Sequence, residues 1–162
     1  MTSKKEIFLE ILADFHQRPL PELTERQIHF ESVPSKVLTL TGVRRSGKTY
    51  YLYQIIQGLI HEGTPKENIL FVNFEDERLM PMKAPELGLI LDAYFELYPE
   101  KKEQKVYLFL DEIQNVPGWE HFVRRVHESE EIQIFLTGSS AKLLSREIAT
   151  TLRGRALNRE IF

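Results

Sequence analysis

Residues 42–49 read Gly-Val-Arg-Arg-Ser-Gly-Lys-Thr, a run that fits the pattern G-x-x-x-x-G-K-[ST]. An apolar segment at 36–41 precedes the run, and a segment at 49–60 with apolar residues at helical spacing follows it. In a strand–loop–helix of this kind, backbone N–H groups of the loop turn inward around an anion, and the positive end of the helix dipole points at it. The run therefore predicts a phosphate-binding loop between the first strand of an α/β domain and a helix.

The loop pattern also predicts which residues contact a nucleotide. Lys48 is placed to reach the β- and γ-phosphates, and the Thr49 hydroxyl is placed to bind Mg²⁺. The alternative is a surface turn that matches the pattern by chance, which the flanking strand and helix disfavour. The other predicted nucleotide-binding residues are Gly42, Val43, Arg44, Arg45, Ser46, Gly47 and Tyr50.

The rest of the chain alternates apolar segments with amphipathic ones. Further strands are predicted at 69–74, 106–110, 132–136 and 156–162, and helices at 3–17, 85–98, 119–128 and 141–152. The strands lack polar alternation, which is typical of a parallel sheet covered by helices on both faces. We expect an N-terminal helical segment (1–35) packed on an α/β core (36–162). Polar clusters follow the first four strands, at the sheet edge where such folds bind ligands.

The strand at 106–110 ends in two acids, as a Walker B element does. Asp111 would hold Mg²⁺ through its water shell, and Glu112 would polarise the water that attacks the γ-phosphate. The alternative is a pair of solvated acids at a strand end. The phosphate loop earlier in the chain favours the catalytic interpretation.

Four polar residues near these acids have open roles. Gln114 and Asn115 either sense the γ-phosphate or, as we favour, form a turn. Glu75 and Asp76 follow the strand at 69–74 and either touch the metal shell or are solvated.

Composition narrows the class of protein. The 162 residues include no cysteine, so a disulfide scaffold and a thiolate metal site are excluded, and a reducing cytoplasm is the expected location. No segment is long and apolar enough to span a membrane. The net charge of −3 weakly opposes a general nucleic-acid surface, although local arginine clusters leave room for a basic patch.

One strand, 69–74, lies between the two motifs in sequence. That organisation is similar to the additional-strand catalytic-Glu class of P-loop NTPases, which includes AAA and RecA-like proteins. The resemblance implies a three-layer fold, a five-stranded parallel sheet of order 5-1-4-3-2, and ATP as the nucleotide. An Asn-Lys-x-Asp run, usual where GTP is bound, is absent.

Five motifs, at 41–49, 73–79, 110–119, 136–145 and 152–155, together resemble one family. Its members are prokaryotic AAA-type ATPases in which the ATPase domain precedes a C-terminal domain of unknown function. The resemblance implies binding of ATP and Mg²⁺ and hydrolysis of ATP. The chain stops within a fifth strand that reads as buried, so we expect it to be the N-terminal piece of a longer protein, with the family's C-terminal domain as its partner.

The resemblance also suggests two further parts of the site, a sensor 1 residue and an arginine finger. Ser139 or Thr137, at the end of the fourth strand, takes the place of sensor 1, although Ser139 is equally suited to cap the next helix. Arg153 and Arg155 lie where AAA subunits carry an arginine finger for a neighbour's nucleotide, which implies a homo-oligomer. The alternative for both arginines is an ion pair or a solvated helix end.

These observations favour an AAA-type ATPase domain that hydrolyses ATP to ADP and phosphate for a task, DNA-related or signalling, that the sequence does not specify. The alternative is an ATP-responsive switch with little turnover. A small-molecule kinase is a third interpretation, but no candidate for an arginine-bearing lid is found.

Overall fold

The computed structural model describes residues 2–22, 36–43, 47–129, 131–139, 143 and 150–161. Strands and helices alternate through these residues, as the sequence predicts. The order is α1 (Lys4–Gln17), β1 (Val37–Thr41), α2 (Lys48–His61), β2 (Ile69–Asn73), α3 (Gly88–Leu97), β3 (Val106–Asp111), α4 (Trp119–Ser129), β4 (Ile132–Gly138) and β5 (Ala156–Glu160).

The five strands form a parallel sheet of order β2-β3-β4-β1-β5. This confirms the order 5-1-4-3-2. Strand β4 lies between β1 and β3, with Thr41 of β1 paired to Gly138 and Leu110 of β3 paired to Leu136. Because all strands run the same way, their carboxyl ends lie together at one end of the sheet, and the segments after β1, β3 and β4 meet there.

Successive strand residues alternate between two apolar cores, as pleating requires. In β2, Leu70 and Val72 enter the core that α1, α3 and α4 cover, and Ile69 and Phe71 enter the core that α2 covers. Both faces are therefore buried, and this explains why the strands read as continuous apolar runs.

Helix α1 is fixed to the sheet by its last turn. The Phe15 ring stacks on Phe71 with centroids 5.8 Å apart, and the His16 ring nitrogen Nε2 lies 2.8 Å from the Ile69 carbonyl oxygen. Burial lowers the pKa of His16, which favours the neutral ring. The helix ends before Pro19, because the residue preceding a proline avoids helical backbone.

Strand β5 differs from the expectation of a buried strand. It pairs with β1 alone at the sheet edge, and residues 157–160 are exposed. Apolar residues are sparse in Ala-Leu-Asn-Arg-Glu, which suits an edge position.

Other boundaries shift slightly. The predicted helix at 85–98 begins as a 3-10 turn, Ala84–Leu87, and most of the predicted helix at 141–152 lies outside the described residues. In the described part of the chain, no helix is long and apolar enough to cross a membrane.

Candidate functional site

The site is built where β1 turns into α2. Gly47 caps the helix with φ of 91°, a left-handed conformation that glycine adopts without a Cβ clash. The first-turn N–H groups of α2 point out of the helix end toward the loop. Val43 and Tyr50 flank the loop and are exposed. The predicted loop residues Arg44, Arg45 and Ser46 lie outside the described residues.

Lys48 joins the loop to the acidic end of β3. Its side chain is only 3% exposed, and its Nζ donates to the Gly42 carbonyl oxygen at 2.8 Å. The same Nζ lies 3.3 Å from Glu112 Oε1. A buried ammonium needs a compensating charge, and Glu112 supplies it.

Asp111, the last residue of β3, is 1% exposed and accepts two hydroxyl hydrogen bonds. Thr49 donates to Oδ2 at 2.9 Å, and Thr137 of β4 donates to Oδ1 at 2.6 Å. Burial raises the pKa of Asp111; the two hydroxyls oppose this, and the carboxylates of Glu112 and Glu75 add to it. Among the described residues, Asp111 has no ion pair to offset its charge.

Glu112 has an unusual backbone and two side-chain partners. Its φ is 56°, and its N–H donates to the Thr137 hydroxyl oxygen at 2.9 Å. A non-glycine residue in this conformation costs on the order of 1 kcal/mol, so the surrounding contacts hold it there. Its carboxylate lies between Lys48 on one oxygen and the Gln114 amide, at 2.5 Å, on the other.

The donor set fits a divalent cation carried by a phosphate group. A threonine hydroxyl and an aspartate carboxylate are the hard oxygen ligands that Mg²⁺ prefers, and Thr49 and Asp111 are already in contact. A buried carboxylate whose pKa is raised by desolvation gains stability when a cation binds it. The buried Lys48 amine beside them suits an anion in the same space.

Ser139, Thr137 and Asp76, whose predicted roles were open, differ in their burial and in their hydrogen bonds. The Ser139 carbonyl oxygen accepts from the Leu143 N–H at 2.9 Å, as in the first turn of a helix. Ser139 is partly exposed, whereas Thr137, the other candidate for its role, is fully buried against both acids. Asp76 accepts from Arg78 at 2.8 Å, and this hydrogen bond lowers the pKa of Asp76.

Arg155 lies at the other end of the sheet, where the parallel strands begin. Its carbonyl oxygen accepts from the N–H of Val37, the first residue of β1, whereas the loop follows Thr41, the last. At about 3.3 Å per residue, about 13 Å of strand separates these ends. The Arg155 guanidinium lies 2.8 Å from Glu128 Oε1 on α4, and Arg153 is exposed.

Sequence reasoning missed the contact between Gln114 and Glu112. Gln114 lies in a 3-10 turn, Ile113–Asn115, directly after Glu112, and was expected mainly to form that turn. Its side chain instead points inward, toward the end of β4. The closeness in sequence of an amide to the predicted catalytic residue Glu112 was the available signal. The direction of the Gln114 side chain depends on the left-handed backbone of Glu112, which the residue type does not indicate.

A model of a protein family described as an AAA domain matches residues 34–162. The chain belongs to this AAA domain family. The family implies nucleotide binding, which agrees with the contacts of Lys48 and Thr49, at the start of α2, with Glu112 and Asp111 at the end of β3.

Two relatives of this AAA domain are uncharacterized proteins. One, from Methanocaldococcus jannaschii, is 42% identical over 162 residues, covering 99% of the chain and 34% of the relative. The other, from Haemophilus influenzae, is 37% identical over 129 residues, covering 78% of the chain and 31% of the relative. The chain thus spans about a third of the length of these relatives.

A solved structure shares the fold. It is the crystal structure of a DNA polymerase III gamma subunit-related protein from Thermotoga maritima, with a TM-score of 0.53 at 12% identity. The likeness covers 80% of this chain and 42% of that one. At this identity it supports the P-loop NTPase architecture of the AAA domain.

Proposed function

We propose that this AAA domain binds ATP with Mg²⁺ and hydrolyses it to ADP and phosphate. The supporting observation is the meeting of two motifs that are distant in sequence. Thr49 contacts Asp111 at 2.9 Å, and Lys48 contacts Glu112 at 3.3 Å. One cationic group, one hydroxyl and two carboxylates thus lie together at one end of the sheet. Phosphoryl transfer to water requires groups of these kinds.

Each of the four residues has a distinct role in this proposal. Lys48 would contact the β- and γ-phosphates, and Thr49 and Asp111 would hold Mg²⁺. Glu112 accepts a proton from water as the water oxygen bonds to the γ-phosphorus and the bond from that phosphorus to the bridging oxygen breaks. Mg²⁺ supplies charge neutralisation at the phosphates.

Arg155 and Ser139 take secondary roles. Arg155 lies at the amino-terminal ends of the strands, so it is too far away to touch a phosphate held by its own loop. We propose that it contacts the nucleotide bound by a neighbouring copy. Its release from Glu128 would accompany assembly. Ser139, at the carboxyl edge, is proposed to face the γ-phosphate.

Two variants test the proposal. Lys48→Ala should weaken ATP binding by on the order of 100-fold, because a buried phosphate contact is lost. Glu112→Gln should bind ATP but lose at least about 100-fold in turnover. Calorimetry and phosphate release measure the two effects, and Lys105→Ala, on an exposed lysine before β3, is the matched control. Unchanged affinity in Lys48→Ala, or unchanged turnover in Glu112→Gln, would contradict the assignment.

An ATP-responsive switch with little turnover is the second candidate. The observation that favours it is the pairing of Glu112 with both Lys48 and Gln114, which leaves neither carboxylate oxygen free. Single-turnover hydrolysis by this chain alone and by a protein that includes a family C-terminal domain separates the two. Tight ATP binding with negligible hydrolysis in both would establish the switch.

A further inference from the structure

The carboxylate of Glu112 is held at both oxygens in this structure. Lys48 Nζ lies 3.3 Å from Oε1, and the Gln114 amide Nε2 donates to Oε2 at 2.5 Å. The lysine contact competes with phosphate binding, since the same amine is expected on the nucleotide. The amide contact does not compete, because the described hydrogen bond of the Gln114 side chain goes to Glu112 and not to Lys48, Thr49 or Asp111, the groups proposed to hold the nucleotide and its metal.

The other end of the Gln114 side chain is fixed by packing. Its Oε1 is buried and has no hydrogen-bond partner among the described residues. A Cβ built on Gly138 would lie 2.5 Å from this oxygen, so the absence of a side chain at Gly138 makes room for the amide. Gln114 is thus held between the β3 turn and the last residue of β4.

The neighbouring side-chain amides of Asn115 and Asn73 make other hydrogen bonds. Asn115 Nδ2 donates to the Phe74 carbonyl oxygen at 3.4 Å, and Asn73 Oδ1 accepts from the Glu75 N–H at 2.9 Å. Among the residues that the structure describes, Gln114 is the one whose side-chain amide donates a hydrogen bond to Glu112.

We propose that Gln114 is a positioning residue that keeps the Glu112 carboxylate aimed into the site when Lys48 turns to the phosphates. This inference rests on the proposed ATPase function. The backbone of Glu112 is held by Thr137, and its side chain is held by Gln114. A short hydrogen bond to a charged acceptor is among the stronger ones in proteins, and it fixes one of the rotamers of a flexible acid.

The test replaces Gln114 by methionine, which has similar length but no amide. We expect turnover at saturating ATP to fall by on the order of 10–100-fold, within the range that a positioned base contributes. The dissociation constant for ATP with Mg²⁺ should stay within about twofold, because the loop and metal residues are unchanged. Asn115→Ala, in the same 3-10 turn, is the matched control and should keep wild-type turnover.

A double variant separates positioning from an independent role. If Gln114 acts through Glu112, adding Gln114→Met to Glu112→Gln should slow turnover no further than Glu112→Gln alone. A multiplicative loss in the double variant, or an equal loss of affinity and turnover in Gln114→Met, would overturn the inference. Gln114→Ala is the second variant, so that a folding defect of one does not decide the outcome, and thermal unfolding of each is compared with wild type.

The failures of the two claims are distinguishable. A wild-type chain that binds and hydrolyses ATP, with Gln114→Met equal to it in turnover, overturns the positioning role alone. A wild-type chain that binds no ATP overturns the proposed function and this inference with it.

Discussion

Removing the Thr137 hydroxyl should destabilise the protein far more than removing an equivalent hydroxyl on the neighbouring strand. Thr137 is fully buried; it donates to Asp111 at 2.6 Å and accepts from the Glu112 N–H at 2.9 Å. Valine has nearly the same shape, so packing is kept and both hydrogen bonds are lost. A bond to a charged group contributes about 1.5–3 kcal/mol, and an unpaired N–H adds a desolvation cost. Thr137→Val should therefore lower the free energy of unfolding by about 2–4 kcal/mol.

The control for this prediction is Thr41→Val. Thr41 is also fully buried, but its hydroxyl has no hydrogen-bond partner among the described residues. Removing it should change the free energy of unfolding by less than about 1 kcal/mol, or increase it. Urea unfolding at neutral pH without nucleotide measures both variants. Equal losses in the two, or a loss below about 0.5 kcal/mol in Thr137→Val, would refute the hydrogen-bond argument.

Two further substitutions probe the same sheet edge. Because burial raises the pKa of Asp111 in the folded state, the charged form lowers stability above that pKa, and the penalty disappears as pH falls toward the unfolded value of 3.8. We therefore expect Asp111→Asn to unfold at a higher urea concentration than wild type at about pH 8 without Mg²⁺, and this difference to be smaller at about pH 5. A difference that grows as the pH falls would contradict the expected direction. Gly138→Ala places a Cβ 2.5 Å from Gln114 Oε1 and 2.7 Å from Leu143 Cγ, and should cost about 1–3 kcal/mol and reduce ATP turnover. A Cβ on Gly58, an exposed residue of α2, would have nothing within 4 Å, so Gly58→Ala should instead stabilise by up to about 1 kcal/mol. Similar effects of the two substitutions in urea unfolding would argue against the clash.

Much of the fold could be predicted because the strands carry strong local signals. The segment 106–110 is apolar on both faces because its side chains enter both cores. The strand order did not come from periodicity; it came from the resemblance to a known class, since local patterns do not report which strands are neighbours. The exposure of β5 was mispredicted because the place of a strand in its sheet depends on its partners, although the few apolar residues of Ala-Leu-Asn-Arg-Glu already suited an edge position.

The sequence motifs predicted that the residues of the site would come together, but they did not predict the contacts that the side chains make with one another. The pattern around Lys48 and Asp111 requires that the two converge, and the structure brings their neighbourhoods into contact through Thr49. The direction of Gln114 depends on the left-handed φ of Glu112 and on the missing side chain at Gly138. Such features arise from tertiary packing, which no local sequence pattern encodes.

The most direct test of the account is a calorimetric titration of ATP into the wild-type chain and into Asp111→Asn, each with Mg²⁺ and with a chelator. The account predicts that Mg²⁺ tightens ATP binding to the wild type and that most of this gain disappears in Asp111→Asn, while binding in chelator persists in both. A wild-type affinity that Mg²⁺ does not change, or a Mg²⁺ gain that survives intact in Asp111→Asn, would contradict the claim that Thr49 and Asp111 hold the metal of a bound nucleotide.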